Sequence, residues 1–359
     1  METLTADDVR VSVETGAALA LTGTAGLGPA KIRRLIDSCG SASEALEQVC
    51  GSACRGRSLD LAAQAERELP SNARILSYGA SWYPPHLRRL HDPPIVLWAV
   101  GPLPLASRRA VAIVGTRAAT VAGRRLAFRI SAELASRGLR VVSGLAKGID
   151  AEAHRGALEA GGETLAVLGS GLNFEYPSVN RGLYAELRKT GALLTEFAPP
   201  VRPVAHRFPQ RNRIVAGLAD AVLVVQAGLK SGARITASYA ADIGVDVLAC
   251  PGPVDQPASE GCHALLKDGA GMVTCVDDVL QALAWDVARP NPNTRSDEST
   301  GQETGPDRAI LDRLAAGPAV LDELSDLVGG PGPAAASLGR LEARGQVAAM
   351  AGTQFEAVR

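Results

Sequence analysis

Residues 205–218 place three arginines and one histidine around a single phenylalanine, Phe208. Across 198–219 there are four arginines and no acidic residue. A guanidinium group offers a planar fork of donors to phosphate oxygens, and an aromatic ring offers a face on which a base stacks. The segment therefore predicts a site for single-stranded nucleic acid. A solvated loop with ordinary surface arginines is the alternative that these residues alone leave open.

Four loops rich in small residues could bind phosphate. They are residues 115–117, 143–150, 169–173 and 230–234, and each follows an apolar run typical of a strand. Glycine lets the backbone approach an anion, while Thr116 and Arg117 add a hydroxyl and a charged fork. Each loop alone could be an ordinary turn. In an open α/β sheet, however, the carboxyl ends of the strands meet at one edge, so together the loops predict a phosphate-binding rim, with Lys147 and Lys230 as possible additional contacts.

Signatures of catalysis are missing from these loops. The GxGxxG fingerprint is absent after the first predicted parallel strand, and so is a P-loop, which argues against a nicotinamide cofactor and against ATP hydrolysis. No Ser–His–acid or paired-carboxylate arrangement stands out, and His154 is expected to be a packing residue. Cys50 and Cys54 have a spacing found in some zinc sites but lack a second ligand pair. We expect no catalytic residue, no metal and no cofactor.

Composition and charge agree with a cytoplasmic globular protein. The chain has 359 residues, of which 46% are apolar and 21% charged, and its net charge is −1. Any nucleic-acid binding must therefore use a local patch rather than overall charge. No apolar run has membrane-spanning length, the N-terminal residues lack a signal-peptide pattern, and the six cysteines include no CxxC pair. We expect reduced thiols in the cytoplasm.

The elements that must position these loops alternate between strand and helix over residues 73–288. Apolar runs at 111–114, 139–143, 164–168, 192–195, 221–225 and 246–249 are each separated by a helix-length segment. This pattern predicts a doubly wound, mostly parallel sheet in an α/β domain. The preceding segment, 75–101, contains two Pro-Pro pairs and is interpreted as a connector across the core.

The two ends of the chain predict separate domains. Residues 1–72 are predicted to form a helical domain of the SAM or helix-hairpin-helix type. The glycine turn at 26–32 is similar to a helix-hairpin-helix turn, although an ordinary turn between packed helices fits better. Residues 289–306 predict a flexible linker. Residues 307–359 predict three helices and two strands, a winged helix. Its third helix carries Arg340 and Arg344 but also Glu342, so duplex binding, protein contact and a structural role all stay open.

Several of these segments together resemble one family. Residues 111–117, 142–158, 166–180, 193–196, 208–218, 231–237 and 251–252 resemble the DNA-processing protein A (DprA/Smf) family in the same order, over about residues 75–275. The resemblance implies a cytoplasmic, non-catalytic homodimer with an extended Rossmann-like fold that binds single-stranded DNA. It also implies protection of incoming strands during natural transformation, loading of RecA onto them, and displacement of single-strand-binding protein.

The resemblance also assigns DNA-binding residues by position. Gly115, Thr116 and Arg117 match the segment that grips a phosphate, and Phe208 matches the ring on which a base stacks. The other matched positions are Asn180, Arg211, Asn212, Arg213, Ser231 and Gly232. For Asn180, capping of a helix is an equally good interpretation. Ser178 stands where some members have lysine, and Gln226 where an acidic residue is common.

Two other functions stay open on the sequence. Nucleotide-processing enzymes of the lonely-guy class resemble this fold and cleave nucleoside monophosphates, using a glutamate in a glycine-rich loop. The corresponding loop here, 231–238, has no carboxylate. A scaffold that holds RecA without binding DNA is the third hypothesis, and the arginine cluster argues against it.

Overall fold

The computed structural model describes residues 13–51, 54–70, 72–80, 82–102, 109–284, 306–315, 317–343, 347–349 and 354–357. The chain divides into two compact units, Met1–Arg289 and Pro290–Arg359. The predicted linker lies outside the described residues except for its last residue, Pro306, and Arg344 also lies outside them. Within these ranges, no helix combines the length and apolar character that crossing a bilayer requires.

A nine-stranded sheet forms the centre of the first unit as far as the structure describes it. Its strands are β1 (Ala73–Ser77), β2 (Val96–Val100), β3 (Ala110–Gly115), β4 (Arg140–Ser143), β5 (Thr164–Val167), β6 (Ala192–Thr195), β7 (Ala221–Gln226), β8 (Asp246–Ala249) and β9 (Gly271–Met272). Their spatial order is β1-β2-β6-β5-β4-β3-β7-β8-β9. All pairings from β6 to β9 are parallel. The mostly parallel α/β sheet predicted from the sequence is therefore confirmed.

Strands β1 and β2 correct the prediction of a connector at 75–101. They pair antiparallel with each other, and β2 pairs antiparallel with β6. Every residue of β2 is buried, because the strand lies inside the sheet while β1 forms its edge. The prolines that suggested a connector lie between the two strands, around a short 3-10 helix at Pro85–Arg89.

Helices cover both faces of the sheet. They are α1 (Val13–Thr22), α2 (Pro29–Cys39), α3 (Ala42–Cys50), α4 (Cys54–Glu68), α5 (Val121–Ser136), α6 (Ile149–Glu159), α7 (Arg181–Thr190), α8 (Arg207–Gly217), α9 (Gly232–Asp242), α10 (Glu260–Lys267) and α11 (Val276–Ala282). Alternate residues of β3 enter two different cores: Val111 and Ile113 belong to one, Ala112 and Val114 to the other. This alternation explains why the strand is apolar throughout, since a strand covered on both faces exposes neither set of side chains.

The first four helices share a core with the sheet rather than forming the separate domain predicted for residues 1–72. Leu21 and Ile32 are buried in the same cluster as Tyr78 and Trp98. Short helices bury too little surface on their own, so they pack against β1 and β2. The predicted glycine turn is present: Gly26 has a φ of 82°, and Gly28 immediately precedes α2.

The sheet has a switch point between β3 and β7. From β3 the chain proceeds through β4, β5 and β6 in one direction, and from β7 it proceeds through β8 and β9 in the other. Ligands of doubly wound folds bind in the crevice beyond the carboxyl ends of the strands at such a point. The loop after β3 and the loop after β7 therefore form the first place to look for a site.

The second unit is small and has its own core. Its elements are α12 (Pro306–Ala315), β10 (Ala319–Val320), α13 (Leu321–Val328), α14 (Pro331–Ala343), β11 (Val347–Ala349) and β12 (Gln354–Ala357). The strands form an antiparallel sheet in the order β10-β12-β11. Ile310, Leu324, Leu338 and Leu341 are buried between the helices.

Candidate nucleic-acid interface

A cavity of about 540 Å³ lies at the carboxyl ends of β3 and β7. Three of the four predicted phosphate loops line it, together with the N-terminal half of α8. The residues predicted to bind DNA that line it are Gly115, Thr116, Arg117, Phe208, Arg211, Asn212, Lys230, Ser231 and Gly232. The fourth loop supports the wall instead: a Cβ on Gly169 would lie 2.6 Å from the ring of Phe208. Only glycine lets the ring pack this close to the backbone.

Arg117 and two aromatic rings form a row at this cavity. The guanidinium carbon of Arg117 lies 5.4 Å from the centroid of the Phe208 ring. The ring of Tyr176 lies 5.5 Å from that of Phe208, centroid to centroid, with an angle of 33° between the planes. Arg117 is exposed, and none of the ion pairs within the described ranges involves it. A cation without a carboxylate partner beside a half-buried ring can take a phosphate and a base together.

The loop that carries Arg117 is fixed by Gln226. The backbone N–H of Thr116 donates to the carbonyl oxygen of Gln226 at 2.7 Å. The side-chain Oε1 of Gln226 accepts from the N–H of Thr120 at 2.9 Å, at the start of α5. A Cβ on Gly115 would lie 2.8 Å from the carbonyl oxygen of Gln226 and 2.5 Å from Ile149. The amide side chain thus supplies the acceptor at this position without adding a negative charge beside Arg117.

Arg211 and Asp150 hold the floor of the cavity. Arg211 is 4% exposed and donates to the carbonyl oxygens of Gly144, at 2.6 Å, and Val167. The Asp150 carboxylate accepts from the N–H groups of Gly144, at 3.2 Å, and Ala146. Burial raises the pKa of Asp150, although Arg211 opposes this shift. Burial likewise lowers the pKa of Arg211. Arg211 therefore holds the 143–150 loop against the end of β5.

Arg213 lies outside the cavity, contrary to its prediction as a DNA contact. It is 2% exposed, and its guanidinium bonds the carboxylates of Glu196 at 2.7 Å and Asp92 at 3.0 Å. Burial acts to lower the pKa of Arg213, but the two carboxylates outweigh it and the pKa is raised. Residues two apart on a helix do not share a face, so Arg211 and Arg213 reach different surroundings from α8. In this arrangement neither guanidinium is presented to solvent, because both are occupied by protein groups.

Residues 74–284 match the model of the family described as DNA recombination-mediator protein A. The match covers more than half of the chain. The chain belongs to the DNA recombination-mediator protein A family. It is 49% identical over 205 residues to a putative DNA processing protein DprA from Mycobacterium tuberculosis. That alignment covers 55% of this chain and 53% of the relative, so the chain spans about half the length of the curated relatives it first matches.

Two solved structures of DNA processing protein A resemble this chain over more than half of its length. The X-ray structure of DprA from Streptococcus pneumoniae matches with a TM-score of 0.65 and 32% identity, covering 75% of this chain and 97% of that one. A structure describing the single-stranded DNA binding mode of DNA processing protein A from Helicobacter pylori matches with a TM-score of 0.54 and 30% identity. It covers 60% of this chain and 97% of that one.

Asn180, which the resemblance assigned to DNA binding, has a buried side chain. Its Nδ2 donates to the carbonyl oxygens of Leu145 at 3.0 Å and Ala146 at 3.2 Å. It does not cap α7 with its side chain either. In this structure the Asn180 side chain neither caps a helix nor faces the cavity. It binds carbonyl groups of the 143–150 loop, as the Arg211 side chain does.

The remaining predicted residues lie on the rim or outside it. Asn212 is half-buried and donates to the carbonyl oxygen of Gly232 at 3.2 Å, which ties α8 to the start of α9. The hydroxyl of Ser231 accepts from the N–H of Ala233 at 3.3 Å as the cap of α9. Lys230 is exposed on the rim. Lys147 is also exposed but does not belong to the lining, and Ser178 is exposed near Asn180.

His154 is a packing residue, as predicted. It is fully buried on α6, its Nδ1 lies 2.7 Å from the hydroxyl oxygen of Thr164, and burial lowers its pKa to about 3. Nowhere in the described ranges do three His, Cys, Asp or Glu side chains gather as metal ligands. The sequence interpretation overlooked two groups of this site: the ring of Tyr176 and the carboxylate of Asp150. Both lie in segments that resemble the family, Tyr176 before a proline in 166–180 and Asp150 at a helix start in 142–158.

Proposed function

We propose that this chain binds single-stranded DNA in the cavity between the β3 and β7 loops. The observation that carries the proposal is the row of Arg117, Phe208 and Tyr176, which places an unpaired cation and two rings at the rim. The related protein from Helicobacter pylori, whose single-stranded DNA binding mode has been described, supports the same ligand. Base stacking on rings beside a positively charged groove is the usual physics of such binding.

Each part of the site has a role in this proposal. The Arg117 guanidinium, the Thr116 hydroxyl and the start of α9 at Ser231 receive backbone phosphates. The Arg117 guanidinium lies over the ring face that a base would use, so binding would move Arg117 from the ring to a phosphate. Arg211, Arg213 and Asn180 act as positioning residues, because their side chains already bond protein carbonyls and carboxylates.

Family membership supports a wider role as a recombination mediator. In this role the protein is a non-catalytic cytoplasmic homodimer that protects a single strand and passes it to RecA. We also propose that the second unit is a winged helix and that the turn before α2 is a helix-hairpin-helix turn. Among the described residues that line the cavity, Asp150 is the only acidic one. Its carboxylate is bonded to two backbone amides, which favours binding over nucleotide cleavage.

The test of the proposed function is direct binding of DNA to the full chain. We expect a labelled oligothymidine to bind at least about tenfold more tightly than a duplex of equal length. Each neutralised phosphate should make the slope of log K against log salt concentration more negative by roughly 0.7. Fluorescence anisotropy at several salt concentrations measures this slope. Equal affinity for duplex, or no binding at low salt, would refute the proposal. Release of free base from AMP would establish the nucleotide-processing enzyme instead.

Phe208→Ala tests the stacking part of the site. We expect about tenfold weaker binding of oligothymidine, since a stacked base contributes roughly 1–3 kcal/mol. The salt dependence should not change, because the ring carries no charge. Phe208→Tyr keeps a ring face and serves as the control, with affinity close to that of the original protein. Binding by Phe208→Ala as tight as by the original protein would show that no base stacks there.

A further inference from the structure

A second set of arginine–aromatic contacts lies beside the cavity and outside its lining. The guanidinium carbon of Arg202 lies 5.8 Å from the centroid of the Phe174 ring, and that of Arg207 lies 5.3 Å from the centroid of the Phe197 ring. Both rings are half-buried, and Arg202 is exposed. We call these four residues the flanking strip.

The two loops that carry most of the flanking strip are held together by their backbones. The N–H of Gly171 donates to the carbonyl oxygen of Val201 at 2.8 Å, and that of Asn173 donates to Pro199 at 3.3 Å. A Cβ on Gly171 would lie 2.1 Å from the carbonyl oxygen of Ala198, so the close approach requires glycine. Arg207 also donates to the carbonyl oxygen of Arg202. The backbones that carry the strip are therefore held in one arrangement.

The charges of the flanking strip are not neutralised by carboxylates. Within the described part of the chain, no ion pair involves Arg202 or Arg207. Arg188, by contrast, pairs with Glu175, the residue between Phe174 and Tyr176. Because residues 198–219 contain no acidic side chain, the positive potential of the strip is available to an anion.

The flanking strip continues the row of side chains at the cavity. Arg207 immediately precedes Phe208 at the start of α8. Phe174 precedes Tyr176 by two residues, at most about 7 Å along an extended backbone. The strip therefore adjoins the row of Arg117, Phe208 and Tyr176 at two places, through Arg207 next to Phe208 and through Phe174 near Tyr176.

We propose that the flanking strip is a second nucleotide-binding station for the part of a DNA single strand that leaves the cavity. Arg202 and Arg207 bind the phosphates of the adjoining nucleotides, and Phe174 and Phe197 support their bases. This inference rests on the proposed function of the cavity. It adds a length requirement: an oligonucleotide short enough to fit the cavity does not reach the strip, whereas a longer one does.

The test compares oligothymidines of increasing length on the full chain, using Arg202→Ala/Arg207→Ala. Lengths from about 4 to about 16 nucleotides cover the site sizes of single-strand-binding folds. We expect the variant to bind the shortest oligonucleotide as well as the original protein does and to bind the longest about tenfold less tightly. For the longest oligonucleotide, the slope of log K against log salt should become shallower in the variant by up to roughly 1.4, since each phosphate contributes about 0.7.

Two controls keep the result interpretable. Arg129→Ala/Lys189→Ala removes the same charge from exposed positions on α5 and α7, and should show no effect that grows with length. Arg202→Lys/Arg207→Lys keeps the charge if the alanine variant does not fold. It should keep the salt slope of the original protein but bind the longest oligonucleotide less tightly, because lysine lacks the planar fork.

The outcomes separate this inference from the proposed function. No binding of any oligothymidine by the original protein would overturn the proposed function, and the inference with it. If the original protein binds, an alanine variant that is unchanged at every length would overturn the inference alone. So would a variant weakened equally at every length, because the strip would then belong to the cavity site.

Discussion

Arg117→Ala is expected to weaken oligothymidine binding by about 10- to 100-fold, the largest loss of affinity that any single side chain at the cavity should produce. Hydrogen bonds to charged groups contribute roughly 1.5–3 kcal/mol, and each 1.4 kcal/mol corresponds to about a factor of ten. The slope of log K against log salt should fall by roughly 0.7, the contribution of one phosphate on a single strand. Titrations by fluorescence anisotropy at several salt concentrations measure both quantities.

Three comparisons isolate the contribution of Arg117. Arg117→Lys keeps the charge but not the fork, so it should keep the slope and lose part of the affinity. Arg129→Ala removes one exposed charge from α5 and should change affinity only slightly. Because Arg117 is exposed, its replacement should alter the free energy of unfolding by no more than about 0.5 kcal/mol. A salt slope that stays the same in Arg117→Ala would show that this guanidinium binds no phosphate.

The central strands could be predicted because of how they are buried. The runs 111–114 and 221–225 became β3 (Ala110–Gly115) and β7 (Ala221–Gln226), since strands covered on both faces leave an unbroken apolar pattern. Strands β1 and β2 were missed for a different reason. Their pairing is antiparallel and joins segments about twenty residues apart, across prolines that no local pattern relates to the sheet.

The position of the cavity was also predictable, but the direction of each arginine was not. The carboxyl ends of parallel strands meet at one edge of the sheet, so the predicted phosphate loops had to converge there although they lie far apart in the sequence. Arg211 and Arg213 look equivalent in the sequence, yet one bonds the carbonyl of Gly144 and the other bonds Asp92, 121 residues away. Which face of α8 turns toward the ligand depends on this long-range packing and not on the local pattern.

At Gln226, where the resemblance to the family leads us to expect an acidic residue, the structure shows how an amide is used. The sequence shows an amide where an acidic residue is common, with no apparent reason. In the structure its oxygen accepts from Thr120 and its nitrogen donates to the hydroxyl of the same residue at 3.1 Å. Both the oxygen and the nitrogen of the amide are therefore used. An ionised carboxylate at the same position would have no hydrogen to donate to the Thr120 hydroxyl oxygen.

Arg213→Ala is expected to destabilise the protein far more than any replacement at the cavity rim. Removing one partner of a buried ion pair leaves an uncompensated charge and costs about 3–5 kcal/mol, and here the uncompensated charge is Glu196, whose side chain is 11% exposed. Thermal and urea unfolding of the full chain measure the loss. Adding Glu196→Gln should restore part of the stability, because the double variant no longer buries an unpaired carboxylate.

The control for Arg213 is an ion pair on the surface. Arg181 is 74% exposed and pairs with Glu175 at 3.2 Å. Arg181→Ala removes the same type of side chain and should cost no more than about 1 kcal/mol, as exposed pairs do. A loss of stability in Arg213→Ala no larger than that in Arg181→Ala would contradict the burial argument.

The same variant decides whether Arg213 holds the site or contacts the ligand. Below its unfolding transition, Arg213→Ala should keep the salt slope of the original protein, because its guanidinium already bonds Glu196 and Asp92. Arg117→Ala should do the reverse, retaining stability and losing slope. If Arg213→Ala instead keeps its stability and loses slope by roughly 0.7, Arg213 binds a phosphate directly, and α8 must rotate or repack when DNA enters the cavity.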